Sequence, residues 1–199
     1  MKILAFSDLH MARGRAAGLV EASRAADIVI AAGDFCNARQ GLSDAIAMLE
    51  GIAAPLVAVP GNAESFDELQ AAARPGMTVL HGTGTETAGL RLFGLGYGVP
   101  VTPFGDWSCD LTEQQAANML ARCDHADILI LHSPPKGVAD ITSAGQSVGS
   151  TAIRDAIARI QPRLALCGHI HDSWGREGMI GGARVVNLGP HGQWFELGA

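Results

Sequence analysis

The stretch Leu164-Ala165-Leu166-Cys167-Gly168-His169-Ile170-His171 decides how the rest of the chain is read. It begins as a short aliphatic run with no polar alternation, the pattern of a strand buried on both faces. It then breaks at a glycine followed by two imidazoles. A Gly-His-x-His sequence arises by chance on the order of 0.03 times in a chain of this composition, so its place at a strand end is informative. Four other runs have the same form. Lys2–Phe6 leads into Asp8-Leu9-His10, Asp27–Ala32 into Gly33-Asp34, Leu56–Val59 into Pro60-Gly61-Asn62, and Ile128–Leu131 into His132. Open α/β sheets bind ligands at the carboxyl ends of their strands. Five strand ends bearing Asp, Asn or His therefore predict one polar cluster along one edge.

Segments of helical period separate these runs. In Leu42–Ile52, Leu42, Ile46 and Leu49 fall on one helical face. Thr112 and Gln115 have the spacing of a capping box, opening a helix toward Met119 and Leu120. Ile153, Ile157 and Ile160 repeat the face, and Pro162 ends that helix. The alternation predicts an α/β domain with a largely parallel sheet. Met77–Leu95 and Ala183–Leu197, the latter around Gly189-Pro190, read as short strands with glycine turns, expected as antiparallel additions. No linker or repeat interrupts the pattern, so one domain over residues 1–199 is expected.

Composition narrows the function. Lys plus Arg number 14 against 20 Asp plus Glu, a net charge of −6. No basic run stands anywhere, which argues against a broad nucleic-acid surface and against docking on anionic lipid. The apolar runs are far shorter than the ~20 residues of a membrane span. Cys36, Cys109, Cys123 and Cys167 contain no Cys-x-x-Cys pair. Reduced thiols and a cytoplasmic location are expected.

Carboxylate, amide and imidazole together form a mixed O/N donor set suited to Mn, Fe, Zn or Ni. Two metals about 3.5–4 Å apart need a bridging carboxylate. The alternating donors of Asp8-x-His10 and His169-x-His171 suit division between two centres.

These blocks, with Gly33-Asp34-Phe35-Cys36-Asn37, Gly61-Asn62-Ala63-Glu64 and His132-Ser133-Pro134-Pro135, resemble the calcineurin-like metallophosphoesterases from Lys2 to Leu197. Val185-Val186-Asn187-Leu188-Gly189-Pro190, and Gln161–Cys167 before the last motif, are similar to a small bacterial and archaeal subgroup. The resemblance implies a four-layer αββα sandwich of mostly parallel sheets with added antiparallel strands. It implies Asp8, His10 and His171 on one divalent ion, Asn62, His132 and His169 on the other, and Asp34 bridging. Mn²⁺ is the expected metal, with Fe, Zn and Ni as alternatives. It further implies hydrolysis of a phosphodiester, such as a cyclic or other nucleotide, or of a phosphomonoester, by a hydroxide bridging the metals. Asp34 and Asn62 then count as catalytic as well as metal residues. The expected partner is a small phosphorylated substrate, and the oligomeric state is left open.

Two positions depart from the family pattern. Ala63 stands where many members have a histidine that assists the leaving group, and Ser147 stands where the subgroup often has another. These departures favour substrates whose leaving group needs little help, and they keep open a catalytically silent metal-binding scaffold of the same fold. His191, after Gly189-Pro190, is the candidate substitute acid. His81 and His125 carry no motif. Asn37 and Glu64 are candidates to support the ligands, and Cys36 and Cys167 for buried structural thiols. Tyr97–Asp110, with Tyr97, Phe104 and Trp107, reads as a long loop able to act as a flap. Lys136 is a candidate phosphate contact.

Overall fold

The computed structural model describes residues 1–198. The elements run β1 (Lys2–Phe6), α1 (Arg13–Ser23), β2 (Ile28–Ala31), α2 (Leu42–Ala47), β3 (Leu56–Ala58), α3 (Phe66–Ala72), β4 (Met77–Val79), β5 (Thr83–Thr87) and β6 (Leu90–Leu95). They continue with α4 (Glu113–Leu120), β7 (Ile128–Leu131), α5 (Thr151–Ile160), β8 (Leu164–Cys167), a 3-10 turn (His171–Ser173), β9 (Glu177–Ile180), β10 (Ala183–Asn187) and β11 (Gln193–Glu196). One sheet has the order β11-β1-β2-β3-β4 and the other β5-β6-β7-β8-β10-β9.

The strand period builds the layers. Ile3 and Ala5 of β1, Ile28 and Ile30 of β2 and Val57 of β3 meet Leu92, Ile128, Ile130, Leu164, Leu166 and Val186 of the other sheet in a central core. Their neighbours Leu4, Phe6, Val29, Ala31, Leu56 and Ala58 point the opposite way, onto Ala16, Leu19, Ile46 and Leu69 of α1, α2 and α3. Leu129, Leu131, Ala165 and Val185 likewise meet Leu120, Ile153, Ile157 and Ile160 of α4 and α5. The result is four layers, αββα, in which β2, β3, β7 and β8 have no solvated face, while the edge strands β5, β9 and β11 do. The Ile153–Ile157–Ile160 stripe is buried as its spacing requires. Truncating Ile157, which is fully buried, would cost about 2–5 kcal/mol.

The capping box of Thr112 and Gln115 is formed. A second, Ser65 with Glu68, caps α3, and it stands in the sequence with the same spacing. Helix α2 stops at Ala47, short of the expected Ile52. The N–H groups of Leu49, Glu50 and Ile52 reach back only three residues, to Ile46, Ala47 and Leu49, so tight turns replace the last helical turn. Its apolar face is kept, because Ile46, Leu49 and Ile52 stay buried.

The two regions expected to add antiparallel strands are mixed. β4, β6 and β10 pair parallel with β3, β7 and β8. The antiparallel strands are β5 on β6, β9 on β10 and β11 on β1. The Gly189-Pro190 turn is no hairpin: it carries the chain from β10 in one sheet to β11 in the other. No helix is long and apolar enough to cross a membrane among the described residues.

Candidate metal centre

All five strand ends converge. β1, β2 and β3 deliver Asp8, Asp34 and Asn62 from one sheet; β7 and β8 deliver His132 and His169 from the other. Donor atoms of Asp8, His10 and His171 lie within 4.8 Å of one another, as do those of Asp34, His132 and His169.

The backbone is bent to achieve this. Asp8, His10, Asp34 and His169 have φ of 53°, 44°, 59° and 67°, the left-handed region that non-glycine residues seldom enter and that clusters at functional sites. The glycines before the donors are required by close approach. A Cβ on Gly33 would sit 2.5 Å from the Gly61 nitrogen and 2.8 Å from His132 Nδ1. One on Gly168 would sit 2.5 Å from Ser7 Oγ and 2.6 Å from Asp8 Oδ2.

Hydrogen bonds on the far sides of the rings decide which lone pairs face inward. His132 Nδ1 donates to the Ala32 carbonyl at 2.7 Å, which aims Nε2 at Asn62 Oδ1 (3.1 Å) and Asp34 Oδ1 (3.5 Å). The Asn62 amide nitrogen donates to Ser108 Oγ at 3.0 Å, so its oxygen is the atom turned inward. His10 Nδ1 donates to the Cys36 carbonyl at 3.0 Å, and its Nε2 faces His171 Nε2 at 3.3 Å and Asp34 Oδ2 at 3.4 Å. Asp34 thus presents one oxygen to each group of imidazoles. Acceptor faces acceptor throughout, and only a proton or a cation between them relieves the repulsion. A donor set of carboxylate, amide oxygen and imidazole with outer partners fixing each ring fits a pair of divalent cations.

The electrostatics agree with that geometry. Burial opposes the charge on Asp34, yet His132, His10 and His169 hold its carboxyl below the usual range. Burial also opposes protonation of His132, but Asp34 and Asp8 outweigh it and raise its pKa. His169 is pushed down to about 3 by burial and by His132, so its lone pair is free at neutral pH.

Glu64 supports the centre from below: its buried carboxylate accepts from the N–H groups of Asp34 (2.8 Å), Gly61 (2.7 Å) and Phe35 (3.1 Å). Burial and the neighbouring Asp34 push it up to about 7. Asn37 Oδ1 lies 3.1 Å from His10 Nδ1. The sequence reading missed Ser7 and Trp174, whose Oγ and Nε1 donate to Asp8 Oδ2 at 2.5 and 2.9 Å. Ser7 directly precedes Asp8, but nothing in its local pattern separates it from a core residue. Trp174, in contrast, follows Gly168-His169-Ile170-His171 at the end of the 3-10 turn.

Other candidates stay outside. His191 is exposed in the turn before β11 and makes no hydrogen bond or ion pair with the seven donors among the described residues. Lys136 is committed elsewhere, its ammonium donating to the Ser147 carbonyl. Ser147 donates to Asp140. Cys36 and Cys167 are buried free thiols whose pKa burial raises.

A family model for the calcineurin-like phosphoesterase superfamily domain matches residues 1–197. The chain belongs to that superfamily. Human metallophosphoesterase domain-containing protein 1 is 37% identical to this phosphoesterase domain over 86 residues, 40% of this chain, and the chain spans about a quarter (26%) of that relative. The structure of TT1561 from Thermus thermophilus has the same fold at a TM-score of 0.77 and 19% identity, covering 96% of this chain and 90% of that one. A dimetal phosphatase from Danio rerio follows the fold at a TM-score of 0.64 and 14% identity, covering 96% and 88%.

Proposed function

We propose that this calcineurin-like phosphoesterase hydrolyses small phosphoric esters with two divalent cations and prefers diesters to monoesters. The observation that carries the proposal is the convergence of acceptor atoms from five strand ends, with Asp34 facing both groups. Asp8, His10 and His171 would hold one cation, and Asn62, His132 and His169 the other, with Asp34 shared. When bound, the cations supply positive charge for the phosphoryl oxygens and a water acidic enough to attack near neutral pH.

The protein's own groups do the positioning. The Ala32 and Cys36 carbonyls fix the imidazole tautomers, Ser108 turns the Asn62 oxygen inward, and Glu64 holds the backbone of Asp34. Ala63 brings no proton; its backbone N–H donates to Asp34 Oδ1 at 2.9 Å. A diester is favoured because two clefts open onto the centre. One, of about 550 Å³, is bordered by His10, Asn37, His171, Trp174 and Arg15. The other, of about 350 Å³, is bordered by His169 and the loop after β6. Two clefts suit a phosphate with two substituents.

Mn²⁺ is the proposed metal, and the −6 charge confines phosphate binding to this one cationic spot. A single domain in a reducing, cytoplasmic setting belongs to the same proposal. The test is hydrolysis of bis(p-nitrophenyl) phosphate and p-nitrophenyl phosphate by purified protein with Mn²⁺. Faster diester turnover, abolished by Asp34→Asn, is the expected result. A faster monoester reverses the preference. Ala63 and the engaged Ser147 favour one other reading, a silent scaffold, which would bind Mn²⁺ and hydrolyse neither ester.

A further inference from the structure

The cleft beyond His169 differs in kind from the metal centre it adjoins. Its walls are mostly apolar, with Val99, Val101, Phe104, Val148 and Ile170 beside Thr102 and Thr142, and His169 is shared between cleft and centre. No Asp, Glu, Lys or Arg lines it. The Phe104 ring meets the His169 ring edge-on, with centroids 6.4 Å apart, and stacks on Trp107 at 5.6 Å and 8°. Phe104 and Trp107 are 49% and 37% exposed, so two large rings stand in water at the mouth of the site. Their loop is held in place. Asn62 donates to Ser108 Oγ, Thr102 donates to Asp110, and the Cys109 N–H donates to the Asn62 carbonyl at 2.9 Å. The aromatic tip is therefore positioned by a candidate metal ligand.

We propose that this cleft receives the uncharged aromatic group of an aryl phosphoester and thereby sets the specificity of the site. The inference rests on the phosphoesterase reading above. An apolar cleft without charged walls disfavours sugars and polyphosphates, whose polar groups would lose water without gaining partners. A volume of about 350 Å³ accommodates a ring, and the Phe104 face offers it stacking. The candidate acids point the same way. Among the described residues Ala63 has no proton to give, Lys136 and Ser147 are engaged, and His191 makes no hydrogen bond with the seven donors. In hydrolysis the oxygen of water bonds to phosphorus, the phosphorus–oxygen bond to the leaving group breaks with its electron pair going to that oxygen, and the proton of the water passes to solvent. A phenolic oxygen, with a pKa of about 10 as in tyrosine, accepts that pair without being protonated first. An alkyl alcohol does not.

The test measures binding of phenylphosphonate and methylphosphonate to the Mn²⁺-loaded protein by calorimetry. Phenylphosphonate should bind about tenfold more tightly. In Phe104→Ala and in Val101→Asp, the latter at a 59% exposed position where folding is not at stake, the phenyl advantage should fall below about threefold. Equal affinities in the unaltered protein, or an advantage that survives in both variants, would overturn the inference alone. Failure of both phosphonates to bind would overturn the phosphoesterase reading and this inference with it.

Discussion

His132 and Asp34, in one group of donors, have side chains 0% and 5% exposed, whereas His10 and His171, in the other, are 28% and 50% exposed. Both groups come from the same device, a parallel strand ending in a left-handed turn, yet one lies mostly between the sheets, with only half-buried His169 reaching a cleft, and the other opens to water. Asp8 is the exception in the open group, fully buried and held by Ser7, Trp174 and the His169 N–H. The difference teaches that donor type and donor access are set separately. Chemistry comes from the residue at the strand end. Access comes from what packs against it: the Ala32 carbonyl and both sheets for His132, but the Trp174 ring, 4.4 Å away, and the partly exposed His10 ring, 5.2 Å away, for His171.

The comparison breaks most visibly in single donor deletions. His132→Ala and His171→Ala should each lower kcat/KM by more than about 100-fold, since outer partners alone are worth 10–100-fold. They should part on stability. His132→Ala leaves the Ala32 carbonyl unpaired in the core and should cost about 1–3 kcal/mol, while His171→Ala should stay within about 0.5 kcal/mol. Urea denaturation of both apo variants checks this, and equal costs would refute the division. Chelation gives the same contrast as a rate: EDTA should remove the two ions in separate phases. The fast phase should be missing in His171→Ala.

A half-buried imidazole outside both groups sharpens what partial burial alone does. His81 packs between Phe66 and Tyr97 and accepts the Gly96 N–H. Burial pushes it down to about 4 from 6.5. The unfolded chain therefore binds more protons between those values, and stability rises with pH across that window. The contribution is complete above pH 6.5 and is lost as pH falls toward 4, by about 3 kcal/mol. His81→Gln, which keeps an acceptor for Gly96, should flatten that stretch of the stability–pH curve relative to the parent. The smallest effect is expected at Trp174→Phe. It removes the indole donor to Asp8 and should weaken the more exposed ion about tenfold, leaving the sealed ion's affinity within twofold in a metal titration.

Much of this site was legible because glycine and donor stand side by side. Gly33-Asp34, Gly61-Asn62 and Gly168-His169 announce both the tight approach and the chemistry, and the structure shows why no Cβ fits. The strands were legible because both faces are apolar. Their distribution between two sheets was not, since β10 and β11 differ in sheet although one turn joins them, and pairing partners lie far apart in sequence. Helix α1 escaped notice because its buried face is only Ala16, Leu19 and Ser23, too small for an apolar period. β9, Glu177-Gly178-Met179-Ile180, escaped because it is an edge strand with one buried residue. The loop after β6 reads in sequence as one flap, but Tyr97 is tied inward through its hydroxyl to the Phe66 N–H, and only Phe104 and Trp107 reach the mouth.

The left-handed turns at Asp8 and Asp34 constrain how this chain can change over generations. Their φ values do not depend on catalysis, because the hydrogen bonds from Asp8 and His10 N–H to the Gly33 and Asp34 carbonyls hold them. A descendant released from selection for hydrolysis would still have to build these corners. Glycine, Asn and Asp enter that region at little cost, whereas β-branched residues do not. Decayed copies should therefore drift to Asn or Gly at positions 8 and 34, so that lost activity is written in a narrow alphabet while the fold persists.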